Sequence, residues 1–147
     1  MKSAEQVRWD FVQQWRGNAE QDLAAARVLF HGGTERYESV GFHAQQAAEK
    51  FVKAFLVRHQ VEFPKTPDLG RLRRLVAQAD VVLASRLSFA DVLSSYGVEG
   101  RGTGGLEVVS HDQGGEALGL AEEVRSVILE NLKPYLDGGR PEAEARA

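Results

Sequence analysis

The chain has no cysteine, which excludes disulfide staples, a thiolate nucleophile and cysteine-ligated zinc or iron–sulfur sites. It has no excess of positive charge either. With 18 Lys and Arg against 21 Asp and Glu, its formal net charge is −3, unlike the basic body of a protein held on nucleic acid mainly through phosphates. A local basic patch stays compatible with that balance. No apolar run approaches the roughly 18 residues of a membrane span, and the opening Met1-Lys2-Ser3-Ala4-Glu5-Gln6 lacks the apolar core of a signal peptide. The expectation is a cytoplasmic protein without membrane contact. Histidine is scarce: the chain holds His31, His43, His59 and His111, and no two stand at the i,i+4 spacing that clamps zinc on a helix. No metal site and no cofactor is expected. Internal repeats, low-complexity tracts and convincing strands are missing as well.

What is present is helical periodicity. At 147 residues, with 43% hydrophobic and 27% charged side chains, the chain has the size and make-up of one folded domain. Trp9, Val12, Trp15, Ala19, Leu23, Ala26 and Phe30 recur three or four apart, which predicts one long amphipathic helix from about residue 4 to 30, ended by His31-Gly32-Gly33. A second helix is predicted from near Glu35 to about Gln60, with a broad apolar face of Val40, Ala44, Ala47, Phe51, Val52, Phe55 and Leu56. That breadth suggests surface left over for a second copy of the chain. Pro64 and Pro67 break the chain, Asp68 caps a short third helix, and Asp80 caps a fourth running from Val82 to about Tyr96. Five glycines between Gly97 and Gly105 predict a mobile loop. Ser110 or Asp112 then restarts a helix whose end is marked by Pro134 and Gly138-Gly139. The fold class is all-α, an up-and-down bundle of four to five helices over residues 4–136, with a disordered polar tail over 137–147.

Several groups of residues are candidates for chemistry. Tyr96, Glu99 and Arg101 fall together at a helix end beside the glycine loop, where a guanidinium can hold a phosphate bidentately. His43, Gln46, Lys50 and Lys53 follow one another at helical spacing and form a polar strip able to hold an anion or a partner's carboxylates. Against this, Glu49 can pair with Lys53 as an exposed i,i+4 couple, leaving only a solvated face. Ser110-His111-Asp112 cannot be a nucleophile, base and orienter, because consecutive side chains at a helix start diverge; it reads as a cap. Arg71, Arg73 and Arg74 form a basic cluster suited to solubility or an acidic partner. Trp9 and Trp15 read as core or subunit interface.

Two stretches say more than periodicity does. Residues 15–29 contain the Ala19-x-x-Asp22-Leu23 pattern, and residues 42–56 contain Gln46-Ala47-Ala48-Glu49-Lys50-x-x-Lys53. With Phe63-Pro64-Lys65-Thr66 and Asp68-Leu69 downstream, they resemble the HEPN domain family of prokaryotes over about residues 9 to 132. The resemblance implies a small helical bundle that dimerises and a link to nucleotide or RNA metabolism. It further implies a small nucleotidyltransferase as partner, in some cases as the toxin of a toxin–antitoxin pair. Family toxins are metal-independent ribonucleases that use an arginine followed, after four to six residues, by a histidine. Here Arg101 occupies the place of the late family arginine, but Gly102 and Thr103 follow it, and His111 comes only after residues 102–110. The run Thr66-Pro67-Asp68-Leu69 likewise lacks a histidine the family often carries there.

The reading is therefore a dimeric binding module for a nucleotide, an RNA or a nucleotidyltransferase, with Lys50, Lys53, Arg101, His43 and Tyr96 as ligand contacts. The alternatives are a ribonuclease using Arg101 and His111, or a purely structural dimer module.

Overall fold

The structure, a computed structural model, describes residues 1–96 and 108–143. Helix α1 spans Ala4–His31 and opens on a reciprocal capping box: the Ser3 hydroxyl accepts from the Gln6 N–H, and the Gln6 side chain accepts from the Ser3 N–H. Residues 32–36 turn the chain back into α2, Tyr37–Arg58. Asp68 caps α3, Leu69–Val76, and Asp80 caps α4, Val81–Arg86, each through its carboxylate. A 3₁₀ helix, Ser88–Tyr96, follows α4, and α5 runs from His111 to Asp137. There is no strand among the described residues.

Helix α2 is the axis of the bundle. It packs against α1 and α5 along its length and is covered by α3 and the 3₁₀ helix on the remaining side. Asp22 pairs with Lys50 while Trp15 meets Lys53, and Trp9 meets Tyr135 while Arg27 pairs with Glu122, so α1 runs antiparallel to both α2 and α5. Two ion pairs, Arg27–Glu122 and Glu20–Arg125, join the outer edges of α1 and α5. The broad apolar face predicted on α2 leaves nothing over for a second copy: Phe51, Phe55 and Leu56 are each 0% exposed within the single chain. Burying each such side chain is worth roughly 1.5–3 kcal/mol. The large apolar side chains that do reach solvent lie elsewhere, among them Val7, Phe11 and Val28 on α1 and Val81 and Val82 on α4.

The helix predicted over Val82–Tyr96 divides after Arg86 into α4 and the 3₁₀ helix. The reason lies in the spacing of its apolar residues. From Leu87 onward the inward side chains are Leu87, Ala90, Leu93 and the half-buried Tyr96, three apart each time, and a period of three lines them up on a 3₁₀ helix but not on an α-helix. The Ser94 hydroxyl, which accepts from the Leu69 N–H, and the bidentate Arg73–Asp91 pair fasten this segment to α3. Pro134 does not end α5, which continues through it to Asp137. The proline removes one N–H near the helix end. The last turn is held by Tyr135, which packs on the Trp9 ring at 5.1 Å and lies under the Arg58 guanidinium at 4.2 Å.

Beyond α5, residues 138–143 are in contact with α1. Arg140 donates to both oxygens of Asp10 at 3.0 and 3.2 Å, and the Gln6 side chain donates to the Pro141 carbonyl at 3.0 Å. The Arg140 guanidinium, with Lys2 beside it, holds the Asp10 carboxyl down at about 2.

Helix α5 starts on a capping box between Ser110 and Gln113. Ser110→Ala is expected to lower stability by about 1 kcal/mol, the ordinary cost of losing an N-cap, with no change in helix content. Urea unfolding followed by circular dichroism checks this, and an unchanged midpoint would show that the cap contributes nothing.

Candidate functional site

Helices α1 and α2 meet along a polar seam that the core surrounds. On α1, Asp22 stands between the buried Ala19, Leu23 and Ala26, so its position on the inward face turns the carboxylate toward α2. Both of its oxygens are used there. Oδ1 lies 3.0 Å from His43 Nδ1, and Oδ2 accepts from Lys50 Nζ at 2.5 Å. The seven-residue step from His43 to Lys50 is two helical turns, which sets both side chains over one carboxylate. All three side chains are largely shielded, with 15% of Asp22, 24% of Lys50 and 29% of His43 exposed.

The second half of the seam is more deeply buried. Glu49 accepts from Lys53 at 2.5 Å, from Gln45 Nε2 at 3.2 Å and from Gln46 Nε2 at 3.5 Å. Gln45, which is wholly buried, also donates to the Pro67 carbonyl at 2.8 Å, joining α2 to the connection that leads into α3. The Lys53 ammonium sits 5.1 Å from the Trp15 ring and 5.5 Å from the Phe63 ring, which themselves meet edge-on. The predicted i,i+4 pair of Glu49 and Lys53 forms, but it is buried rather than exposed: the residues are 7% and 4% accessible.

The predicted ligand contacts are therefore distributed as follows. His43 and Lys50 share Asp22, while Lys53 is enclosed with Glu49 and presents no charge to solvent. Tyr96 packs half-buried against Gly41 of α2, where a Cβ would come within 2.9 Å of the ring's Cγ and Cε1. Burial, and after it the charge of Glu116, pushes the Tyr96 hydroxyl above its ordinary range. Arg101 lies outside the described residues. His111 is the first residue of α5, at the far end of α1 and α2 from the Lys53 pair, stacked on Phe30 at 4.8 Å and edge-on to Tyr37 at 5.3 Å. Its Nδ1 faces the carboxylate of Asp112, and the Ser110 hydroxyl is committed to the Gln113 N–H, so these three side chains act as a helix start rather than a catalytic relay.

Of the predicted basic cluster, Arg71 and Arg74 are exposed, whereas Arg73 is tied to Asp91 through Nε and Nη2 at 2.8 and 2.9 Å. Among the described residues no group of three or more His, Asp or Glu side chains is placed to hold a metal ion, and no helix is long and apolar enough to cross a membrane.

Asp22 and Gln45 were not among the predicted contacts, although both carry a signal. Each is a polar residue inside an apolar stripe, Asp22 in the sequence Ala19, Leu23, Ala26 and Gln45 in the sequence Gly41, Ala48, Val52. A polar group in such a place is buried and needs a partner.

The model of the HEPN domain family matches residues 12–132, a span that takes in the whole seam and both halves of the bundle. No curated protein and no solved structure matches the chain.

Proposed function

Since the chain belongs to the HEPN domain family, we propose that it is a dimeric binding module of nucleotide or RNA metabolism, with a nucleotidyltransferase as protein partner and without a complete ribonuclease motif. The observation that carries this reading is the surrounding of His111. Residues 102–110 separate it from Arg101, and its ring is packed on Phe30 and Tyr37 at the first residue of α5. An arginine that neutralises phosphate charge and a histidine that moves a proton must meet one scissile bond at fixed distance, and the nine residues between them here depart from the four to six of the resembling ribonucleases. Arg101, Lys50, His43 and Tyr96 are the proposed ligand contacts. Lys53 is not among them, because it is enclosed with Glu49 and a phosphate reaching it would have to displace a buried carboxylate.

Purified protein is expected to degrade single-stranded RNA no faster than its Arg101→Ala and His111→Ala variants. A metal-free cleavage abolished by either substitution would replace this reading with a toxin-type ribonuclease. Light scattering is expected to give a mass near twice the 16.2 kDa chain. Calorimetric titration with ATP and a short RNA is expected to show weaker binding for Lys50→Ala and Arg101→Ala, by roughly ten- to a hundredfold for a charged phosphate contact. The exposed Arg71→Ala is the control, and loss of binding in that variant alone would move the site to α3. No binding of either probe at millimolar concentration would leave a purely structural dimer module.

A further inference from the structure

We infer that the solvent face of α1 is where two copies of the chain meet, antiparallel and about a two-fold axis beside Gly17 and Asn18. The inference rests on the dimeric reading above and assigns it a surface. Val7, Phe11, Gln14, Asn18, Gln21 and Val28 follow one another three, four or seven positions apart, so the helix sets them in one stripe about 30 Å long at its rise of about 1.5 Å per residue. All but the half-buried Asn18 are exposed, Phe11 by 51% and Val28 by 72%. The stripe carries no charge. Glu20 and Arg27 are turned to α5 and Asp22 to α2, each in an ion pair, and Asp10 at its edge is spent on Lys2 and Arg140.

The order of the residues selects the partner. When the stripe is turned end over end onto a second copy, Val7 faces the partner's Val28, Phe11 faces the partner's Ala24 and Ala25, and Gln14 faces the partner's Gln21. A branched side chain thus meets a branched one, a large ring meets two small residues, and amide meets amide with a donor and an acceptor on each side. A shallow hollow of about 210 Å³ among Lys2, Val7, Asp10, Phe11 and Gln14 lies where the partner's Val28 arrives. Gly17 fits the same arrangement. A Cβ there would meet nothing within 4 Å, so no neighbour in the chain itself calls for a glycine, which destabilises a helix interior relative to alanine; a second helix crossing closely at that point does. A phosphate backbone finds no cation on the stripe, whereas an antiparallel copy sets each positive helix end beside a negative one.

The chain has no cysteine, so a single introduced one reports a single contact. Under mild oxidation of the full chain, Asn18→Cys is expected to give a cross-linked dimer by itself, because the two-fold axis brings the two copies of that position within the roughly 7 Å between Cα atoms that a disulfide spans. Val7→Cys is expected to stay unlinked alone and to link when mixed with Val28→Cys, since each position meets the other and not itself. In sedimentation velocity Phe11→Glu and Val28→Glu are each expected to raise the dimer dissociation constant by at least roughly a hundredfold, an unpaired carboxylate being buried on both sides. Their helical circular dichroism should be unchanged, because both side chains lie outside the core. Val82→Glu, at a valine of α4 that is 71% exposed, is the control and keeps the dimer. A dimer that survives both α1 substitutions, that is lost only in Val82→Glu, that leaves Asn18→Cys unlinked or that links through Val7→Cys alone overturns the inference and leaves the dimeric reading standing. A wild type that stays monomeric up to millimolar concentration overturns both.

Discussion

Lys53→Ala is expected to lower the free energy of unfolding by about 3–5 kcal/mol. Glu49 is nine-tenths buried and, without the ammonium, keeps only the amide donors of Gln45 and Gln46 for a full negative charge. The Trp15 and Phe63 rings lose the cation between them, and a cavity opens where the lysine stem ran. The cost belongs to the orphaned charge rather than to the pair itself. Replacing both partners by apolar residues of similar length, Lys53→Met with Glu49→Leu, is therefore expected to recover most of the loss, because a buried pair gains little over good packing once its desolvation is counted. Urea unfolding of the two variants and the wild type decides the matter. A single substitution costing less than about 1 kcal/mol, or a double variant no better than the single, would mean that water reaches the pair.

Gly41→Val is expected to cost about 1–3 kcal/mol through overpacking against Tyr96. A side chain at this position meets the Tyr96 ring at Cγ, one bond from its own Cβ, so turning the far end of the ring gives no relief and the end of the 3₁₀ helix must move away from α2. Helix propensity opposes the effect by a few tenths of a kcal/mol, since valine forms helix slightly better than glycine, and is too small to reverse it. The diagnostic is a double-mutant cycle with Tyr96→Ala. Because the two residues share one volume, the effects should fall short of additivity by at least 1 kcal/mol, and strict additivity would place the strain elsewhere. As Tyr96 is a proposed ligand contact, Gly41→Val should also weaken nucleotide binding without touching the seam of Asp22 and Lys50.

The two substitutions probe different kinds of information. The starts of α3, α4 and α5 were legible in the residues themselves, because the Asp68, Asp80 and Ser110 caps satisfy N–H groups only three positions away. Apolar spacing likewise identified the core positions of α1 and α2. From Leu87 to Tyr96 the three-residue spacing of the inward side chains matches the 3₁₀ helix, while the bonds that fasten this segment to α3, Ser94 to Leu69 and Arg73 to Asp91, join residues far apart in the chain that no local pattern contains.

The polar strip on α2 shows the same division at the site. His43, Gln46, Lys50 and Lys53 were identifiable as one series from helical spacing and from the motif they belong to. Their surroundings were not. Whether a lysine is a solvated cation or half of a buried pair depends on what covers it, and Lys53 is covered by Trp15 from a helix earlier in the chain and by Phe63 from the connection that follows α2. Asp22 meets its partners across 21 and 28 residues of chain. By itself the sequence determined the helices, their caps, the family and the chemistry excluded by missing cysteine, because each of these depends on residue type and near spacing. The tertiary structure alone decided which charges are spent on one another and that His43 and Lys50 share one carboxylate, because burial and ion pairing are set by elements far apart in the chain.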